Sequence, residues 1–218
     1  MSSPQNKESD AEMMNRQAFF NQAAITWDEH FDTPKLTDFL AQAVPKFGLN
    51  HGQNVLDLGT GTGVLIPFLL KAVGSSGHVT AVDFAEKMVE RCKAKNANNP
   101  NVTVMVQQVE NLQFSPESFD AVTCFGLFPH LENKQKALGQ INRVLKPGGK
   151  LVIAHALSSQ EIKSHHRNAA PAVAHDMLPE EAEMRELLKQ AGFVNVKITD
   201  KTGCYLCLSN KSSKLMLP

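Results

Sequence analysis

Residues 55–63 read Val-Leu-Asp-Leu-Gly-Thr-Gly-Thr-Gly, an apolar run that breaks into glycines at alternate positions, Gly59, Gly61 and Gly63. The run predicts a buried strand. The glycines behind it predict a loop that turns sharply and lets a ligand approach its backbone, with no Cβ in the way. A dinucleotide fingerprint would need G-x-G-x-x-G or A, but here the sixth place is Val64 and Gly63 comes one residue early. Asp57 narrows the ligand further. An ionised carboxylate inside an apolar strand costs several kcal/mol unless a cation or hydrogen-bond donors meet it. A pyrophosphate would add to that cost; an ammonium would relieve it.

The next apolar run, HVTAVD, ends in Asp83, placed at a strand end to accept both hydroxyls of a ribose. Asp57, the glycine loop and Asp83 together describe a nucleoside that carries an amino acid. Around them, strand and helix patterns alternate. NVLDLG, HVTAVD, VTVMVQQ, FDAVTCF and KLVIAHA read as strands, and VLIPFLLKAV and AEKMVERCKAKNA as helices. In KQKALGQINRVLKPGG, Ala137, Leu138, Ile141, Val144 and Leu145 share a helical face before Pro147-Gly148-Gly149 stops it. This alternation predicts a parallel sheet covered on both sides, with a crevice at the carboxyl ends of its strands. PEEAEMRELLKQAGF predicts a helix with Pro179 and two glutamates in its first turn and Gly192 at its end. FVNVKITD and YLCLSN, joined around Lys201-Thr202-Gly203, predict an antiparallel hairpin at the sheet edge.

Upstream, Leu36, Phe39, Leu40, Ala43, Val44 and Phe47 form one helical stripe that ends at Gly48. With 22 Lys and Arg against 22 Asp and Glu, the 218-residue chain carries no net field to recruit nucleic acid or an anionic membrane. The polar start and the lack of any apolar run near membrane-spanning length predict a cytoplasmic protein without membrane insertion. Four scattered cysteines suggest no disulfide framework. Cys204 and Cys207 sit three apart in a strand, so they face opposite ways and read as ordinary strand residues rather than a redox or zinc pair.

The ordered motifs VLDLGTGTG, VDFAEKMVE, VQQVENLQFSPESFDAVTCFGLFPHL, INRVLKPGGKLVIAH and LLKQAGF resemble the class I S-adenosylmethionine-dependent methyltransferases over roughly residues 50 to 210. The similarity leans toward the branch with the ubiquinone and menaquinone C-methyltransferases and other small-molecule enzymes. It implies an α/β, Rossmann-like, doubly wound fold, with a mostly parallel seven-stranded sheet and a C-terminal antiparallel hairpin strand. The polar composition of residues 1–12 predicts a mobile tail, and the resemblance implies a helical cap (13–50) and a methyltransferase domain (51–218) with a substrate-covering insertion at about 158–178. The implied cofactor is S-adenosylmethionine, released as S-adenosylhomocysteine. By the same resemblance, Asp57 holds the methionyl amino group, and Gly59, Thr60, Gly61 and Gly63 line the methionine and sulfonium. Asp83 binds the ribose, Phe84 and Met88 pack on the adenine, and Phe125 walls the methyl-transfer channel. Where many relatives carry GDAxxLPF, this chain has Gln107-Gln108-Val109-Glu110-Asn111-Leu112-Gln113-Phe114. Gln108 then stands for the acid, the Val109 amide serves the adenine ring, and Glu110 borders the site.

A sulfonium is already an activated methyl donor, so the protein's task is to align acceptor, methyl and sulfur and keep water out. A base is needed only if the acceptor must lose a proton. His155 at the end of the fifth strand and His130 after the fourth are the candidates. His165, His166 and His175-Asp176 fall in the covering segment. At helical spacing at most one of the adjacent pair is expected at a given site, and His166 is assigned to substrate. In the cap, Phe19, Phe20, Trp27 and Phe31 would shape an apolar acceptor pocket, with Phe20 and Trp27 in contact with substrate. The reading is a methyltransferase for a small-molecule acceptor, with no nucleic-acid partner and with monomer and homodimer both open. Three alternatives stand beside it: a non-catalytic sensor or scaffold that binds the cofactor, a nicotinamide-dependent oxidoreductase, and a metal-binding protein built on the His-rich segment.

Overall fold

In the computed structural model, which describes residues 4–167 and 170–213 and, of these, the side chains from residue 14 onward except that of Phe31, the apolar run at 54–58 is an interior strand, third in a seven-stranded sheet. Its strands are β1 (Asn54–Leu58), β2 (His78–Asp83), β3 (Val102–Val106), β4 (Phe119–Phe125), β5 (Leu145–His155), β6 (Phe193–Lys201) and β7 (Cys204–Lys211). They lie in the order β3-β2-β1-β4-β5-β7-β6. The first five are parallel, and β7 is antiparallel to both β5 and β6. The predicted doubly wound sheet with its antiparallel hairpin is therefore present. The order reverses beside β1 and β4, which opens a crevice at their carboxyl ends.

Side chains alternate between two apolar layers. Leu56 and Leu58 face a layer with Leu138, Ile141, Met184 and Leu188, supplied by α6 (Lys134–Val144) and α8 (Glu181–Gln190). Val55 faces the other, with Leu40, Leu69 and Val73, supplied by α3 (Pro34–Ala43) and α4 (Ile66–Val73). Cys207 lies in the first layer and Cys204 packs on the second, so the two thiols sit on opposite faces as their spacing predicts.

Three local expectations need correction. The stripe from Leu36 to Phe47 is two elements: α3 ends at Ala43, and Val44–Phe47 forms a 3-10 turn because Pro45 cannot donate to a continuing helix. Pro179 precedes Glu180, the N-cap of α8, so it stands outside the first turn. Helix α6 stops at Val144, and Leu145–Gly149 already belongs to β5, where pairing with β4 shifts between Phe119 and Ala121 to absorb the turn-prone residues.

The cap consists of α1 (Pro4–Ala23) and α2 (Trp27–Phe31). Helix α1 begins inside the stretch expected as a tail; residues 1–3 of that stretch lie outside the described residues. The cap rests on α5 (Glu86–Lys95), where Asn21 Oδ1 accepts the Lys87 amide at 2.9 Å and Gln17 Nε2 donates to the Phe84 carbonyl at 2.7 Å. Between β5 and α8, the covering segment holds α7 (Ser159–Arg167), residues 168–169 lying outside the described residues. Among the described residues, no helix is long and apolar enough to cross a membrane.

Candidate active site

The crevice at the carboxyl ends of β1, β2, β4 and β5 is roofed by the cap and by α7, leaving a cavity of about 580 Å³. That is the size range of small-molecule sites. Of the residues expected at the site, Phe20, Trp27 and the others line it, but Gly63 and Phe19 do not, and the side chain of Phe31 lies outside the described residues.

At one end, Asp57 is 1% exposed. Its Oδ1 accepts the Thr123 hydroxyl at 2.8 Å, while its Oδ2 is buried without a hydrogen-bond partner. Burial pushes the carboxyl up to about 6, the Thr123 bond offsetting part of the shift. The Thr60 hydroxyl, also buried, lies near enough to temper that rise but outside hydrogen-bonding geometry. The strand thus carries an acceptor that nothing in the chain satisfies, open to a cationic donor. Asp83 is tied down instead: its Oδ2 accepts the Gly61 amide and its Oδ1 the Ala85 amide, both at 2.9 Å. Burial raises its carboxyl, and those two amides restrain the rise.

The Thr60 amide donates to Val82 O at 3.0 Å, so the loop is stitched to the end of β2. Gly61 holds φ +54°, and a Cβ there would lie 3.3 Å from Trp27 Nε1, which shows how closely the cap's indole covers the loop. Gly63 plays a different part from the one expected. At φ +91°, its place for a Cβ lies 2.9 Å from Cys92 Sγ, so it lets the loop pack on α5 and does not line the cavity.

Phe84 and Met88 form one wall, packed with Ala85 against Phe20, Ala24 and Trp27 of the cap. Gln108, Val109 and Glu110 line the neighbouring edge on a 3-10 turn at Val109–Asn111, anchored by the Gln107 amide on Asp83 O at 3.0 Å. Phe125 lines the cavity and stacks on Phe39 of α3, with ring centres 6.1 Å apart. The Asp28 carboxylate fastens the cap. It accepts the Thr62 hydroxyl at 2.5 Å and pairs with Arg91 and Lys95, both at 2.8 Å. Burial alone would raise it, but Lys95, Thr62 and Arg91 outweigh that and hold it at about 2.

The other end of the cavity gathers histidines. His155 is buried, its Nε2 has no partner, and burial, aided by nearby His130 and His166, depresses it to about 3. His130 Nδ1 lies 2.6 Å from Asp176 Oδ2, and its ring stands 4.9 Å from that of His166. His166 Nδ1 meets the Asp176 carbonyl at 2.6 Å. His165 lines the cavity too, against the expectation of one histidine from the pair. Ile162, His165 and His166 fall at i, i+3 and i+4, which is one helical face. His175 is exposed and does not line it.

Arg16 of α1 was missed by the sequence reading. It forks onto Asp176 at 3.0 and 2.6 Å and also holds the His130 carbonyl at 2.9 Å. No pattern near Arg16 signals this, because its partners are more than 100 residues away. With Arg16 on Asp176, the carboxylate has a cation already. Among the described residues, no three or more His, Cys, Asp or Glu are placed to hold a metal ion.

Residues 55–149 match a family described as a methyltransferase domain. The chain is 32% identical over 179 residues to a demethylmenaquinone methyltransferase of Staphylococcus aureus, covering 72% of this chain and 74% of that protein. A crystal structure of an S-adenosylmethionine-dependent methyltransferase from Aquifex aeolicus superposes with TM-score 0.67 at 25% identity, covering 89% of this chain and 98% of the other. A phosphoethanolamine N-methyltransferase of Haemonchus contortus bound to S-adenosylmethionine superposes with TM-score 0.72 at 17% identity, over 89% and 57% of the two chains, and shares the fold. The unmet acceptor on Asp57 and the amide-braced Asp83 line the same cavity at the carboxyl ends of β1 and β2. An enzyme that transfers methyl groups from S-adenosylmethionine is what fold, cavity and kinship together describe, and the chain belongs to the class I methyltransferases of the quinone-methyltransferase-like kind.

Proposed function

We propose that this enzyme methylates an apolar aromatic acceptor of the demethylated naphthoquinol type, working in the cytoplasm and without nucleic acid. The observation that carries the proposal is one cavity of about 580 Å³ whose lining joins the buried acids Asp57 and Asp83 to the aromatic rings of Phe20, Trp27 and Phe125 and to the histidines His130, His155 and His166. The kinship to demethylmenaquinone methyltransferase supports the acceptor class. Chemistry selects the reduced form, since a quinone ring is electron-poor whereas a hydroquinone can present a nucleophilic ring carbon.

When bound, S-adenosylmethionine supplies a methyl group on a sulfonium. In our reading, Asp57 Oδ2 takes the amino group and Gly59, Thr60 and Gly61 line the amino-acid portion. The ribose hydroxyls fall to Asp83. Phe84 and Met88 flank the adenine, with Gln108, Val109 and Glu110 along its edge. Phe125 separates the two ends, and Phe20, Trp27 and His166 border the acceptor. The cap excludes water, which favours transfer to the acceptor over hydrolysis. His155 and His130 are the candidate bases. The thiols Cys92, Cys124 and Cys207, all buried and free, fit a reducing compartment.

The test is parallel calorimetric titration with S-adenosylmethionine, S-adenosylhomocysteine and NAD, followed by transfer of labelled methyl to a short-chain demethylmenaquinol. Binding of the first two ligands and methylation of the quinol are expected. Binding without transfer would reject the acceptor class while leaving the cofactor site standing.

A further inference from the structure

Of the histidines that line the cavity, His155 and His130 are the candidate bases, and their surroundings separate their roles. His155 has no carboxylate contact, so a proton taken there would sit uncompensated in a buried site. His130 has Asp176. A carboxylate forked by an arginine stays ionised, and an ionised carboxylate only accepts hydrogen bonds. The proton in the 2.6 Å contact therefore belongs to His130 Nδ1, which leaves Nε2 as the ring's proton acceptor. His166 is held alike, since the Asp176 carbonyl can only accept from its Nδ1.

Arg16 is the hub of the arrangement. Besides Asp176, it donates to the carbonyls of Ala172 at 3.0 Å and His130 at 2.9 Å, so one cap side chain joins the covering segment to the loop after β4. Resting on the function proposed above, we propose that His130 is the general base of methyl transfer, with Asp176 and Arg16 as its positioning residues. The base is complete only while the cap and the covering segment are both seated over the cavity. Proton abstraction is thereby tied to a site from which water is excluded.

With a naphthoquinol, Nε2 of His130 takes the hydroxyl proton as the adjacent ring carbon bonds the methyl and the methyl–sulfur bond breaks. The methylated ketone so formed tautomerises after release into solvent, the hydrogen on that carbon passing to water and a proton returning to the ring oxygen, while His130 gives up its proton to water as the site opens, so that the net release is one proton per transfer.

The experiment combines long-range ¹H–¹⁵N spectra of histidine-labelled protein bound to S-adenosylhomocysteine with methyl transfer to the short-chain demethylmenaquinol and titration of the cofactor. The wild type should show His130 neutral and protonated on Nδ1. Asp176→Ala should lose that tautomer and about 100-fold or more in kcat, with cofactor affinity held within about threefold; Arg16→Lys should retain more activity than Arg16→Ala. A wild-type His130 protonated on Nε2, an Asp176→Ala enzyme with unchanged kcat, or parallel losses of kcat and cofactor affinity would each overturn the proposal. The wild-type spectrum decides even where a variant fails to fold or the quinol is not methylated. Failure of transfer by the wild type, with the expected tautomer present, would reject the acceptor and not the dyad.

Discussion

The amide of Gly61 donates to the carboxylate of Asp83 at 2.9 Å, across 22 residues of sequence. The glycine loop and the acid at the end of β2 are thus one hydrogen-bonded unit. A ligand that engages the acid also meets a loop already fixed by it, so less ordering remains to be done on binding.

Removing that acid should therefore weaken the cofactor directly and loosen the loop. Asp83→Ala is expected to lower affinity for S-adenosylmethionine by 10- to 100-fold, about 1.4–3 kcal/mol. Titration calorimetry measures it, and an unchanged dissociation constant would remove Asp83 from the ribose site.

Asp57 predicts a conflict between stability and binding. Its folded value, about 6, lies above the ordinary 3.8, so the folded state holds its proton more tightly than the unfolded chain does. Stability of the free protein should fall as pH rises from about 4 to about 6, by about 3 kcal/mol in all. Asp57→Asn, which keeps an acceptor for Thr123, should raise the melting temperature at neutral pH while weakening the cofactor. If the substitution lowered the melting temperature, the buried charge would not be the strained element. Affinity of the wild type for the cofactor should also drop below about pH 6, as the carboxylate that meets the ammonium becomes protonated.

Gly63 packs the loop against α5 and does not line the cavity. Gly63→Ala places a Cβ 2.9 Å from Cys92 Sγ at φ +91°. The expected loss is about 2–4 kcal/mol of stability from backbone strain and overpacking, read by denaturant unfolding. Affinity per folded molecule should change little; loss of affinity without loss of stability would return Gly63 to the binding site.

Asp28 fastens the cap to the loop and to α5 through Thr62, Arg91 and Lys95. These partly exposed pairs add little to global stability, under about 1 kcal/mol. Asp28→Ala should nevertheless speed cofactor release several-fold in stopped-flow displacement, because the cap's hold on the loop is local. An unchanged release rate would mean that the cap does not gate the cofactor.

The strand-helix alternation, the glycine loop, Asp57, Asp83 and the opposite facing of Cys204 and Cys207 are legible without coordinates. Each follows from spacing within a few residues or from a charge set among apolar neighbours. The split of the 36–47 stripe at Pro45 is legible in principle, since a proline in the interior of a helical pattern breaks it, whereas Pro34 and Pro67 fall in first turns where no donor is needed. The shared face of Ile162, His165 and His166 was legible too, had the preceding turn been counted along with the pair.

Tertiary structure alone decided the acceptor end. Arg16 and Asp176 lie 160 residues apart, and His130 joins them from a third segment. Local periodicity carries no information about which loops meet, because such contacts depend on how the cap and the covering segment pack over the sheet. The same holds for Gly63, whose position in the glycine pattern suggests a ligand contact. Only the placement of Cys92 on α5 turns it toward the core. The sequence by itself determined the sheet, its glycine loop and the acids at the carboxyl ends of β1 and β2. Packing over long sequence distances determined which histidine meets a carboxylate, and so which one can hold a proton.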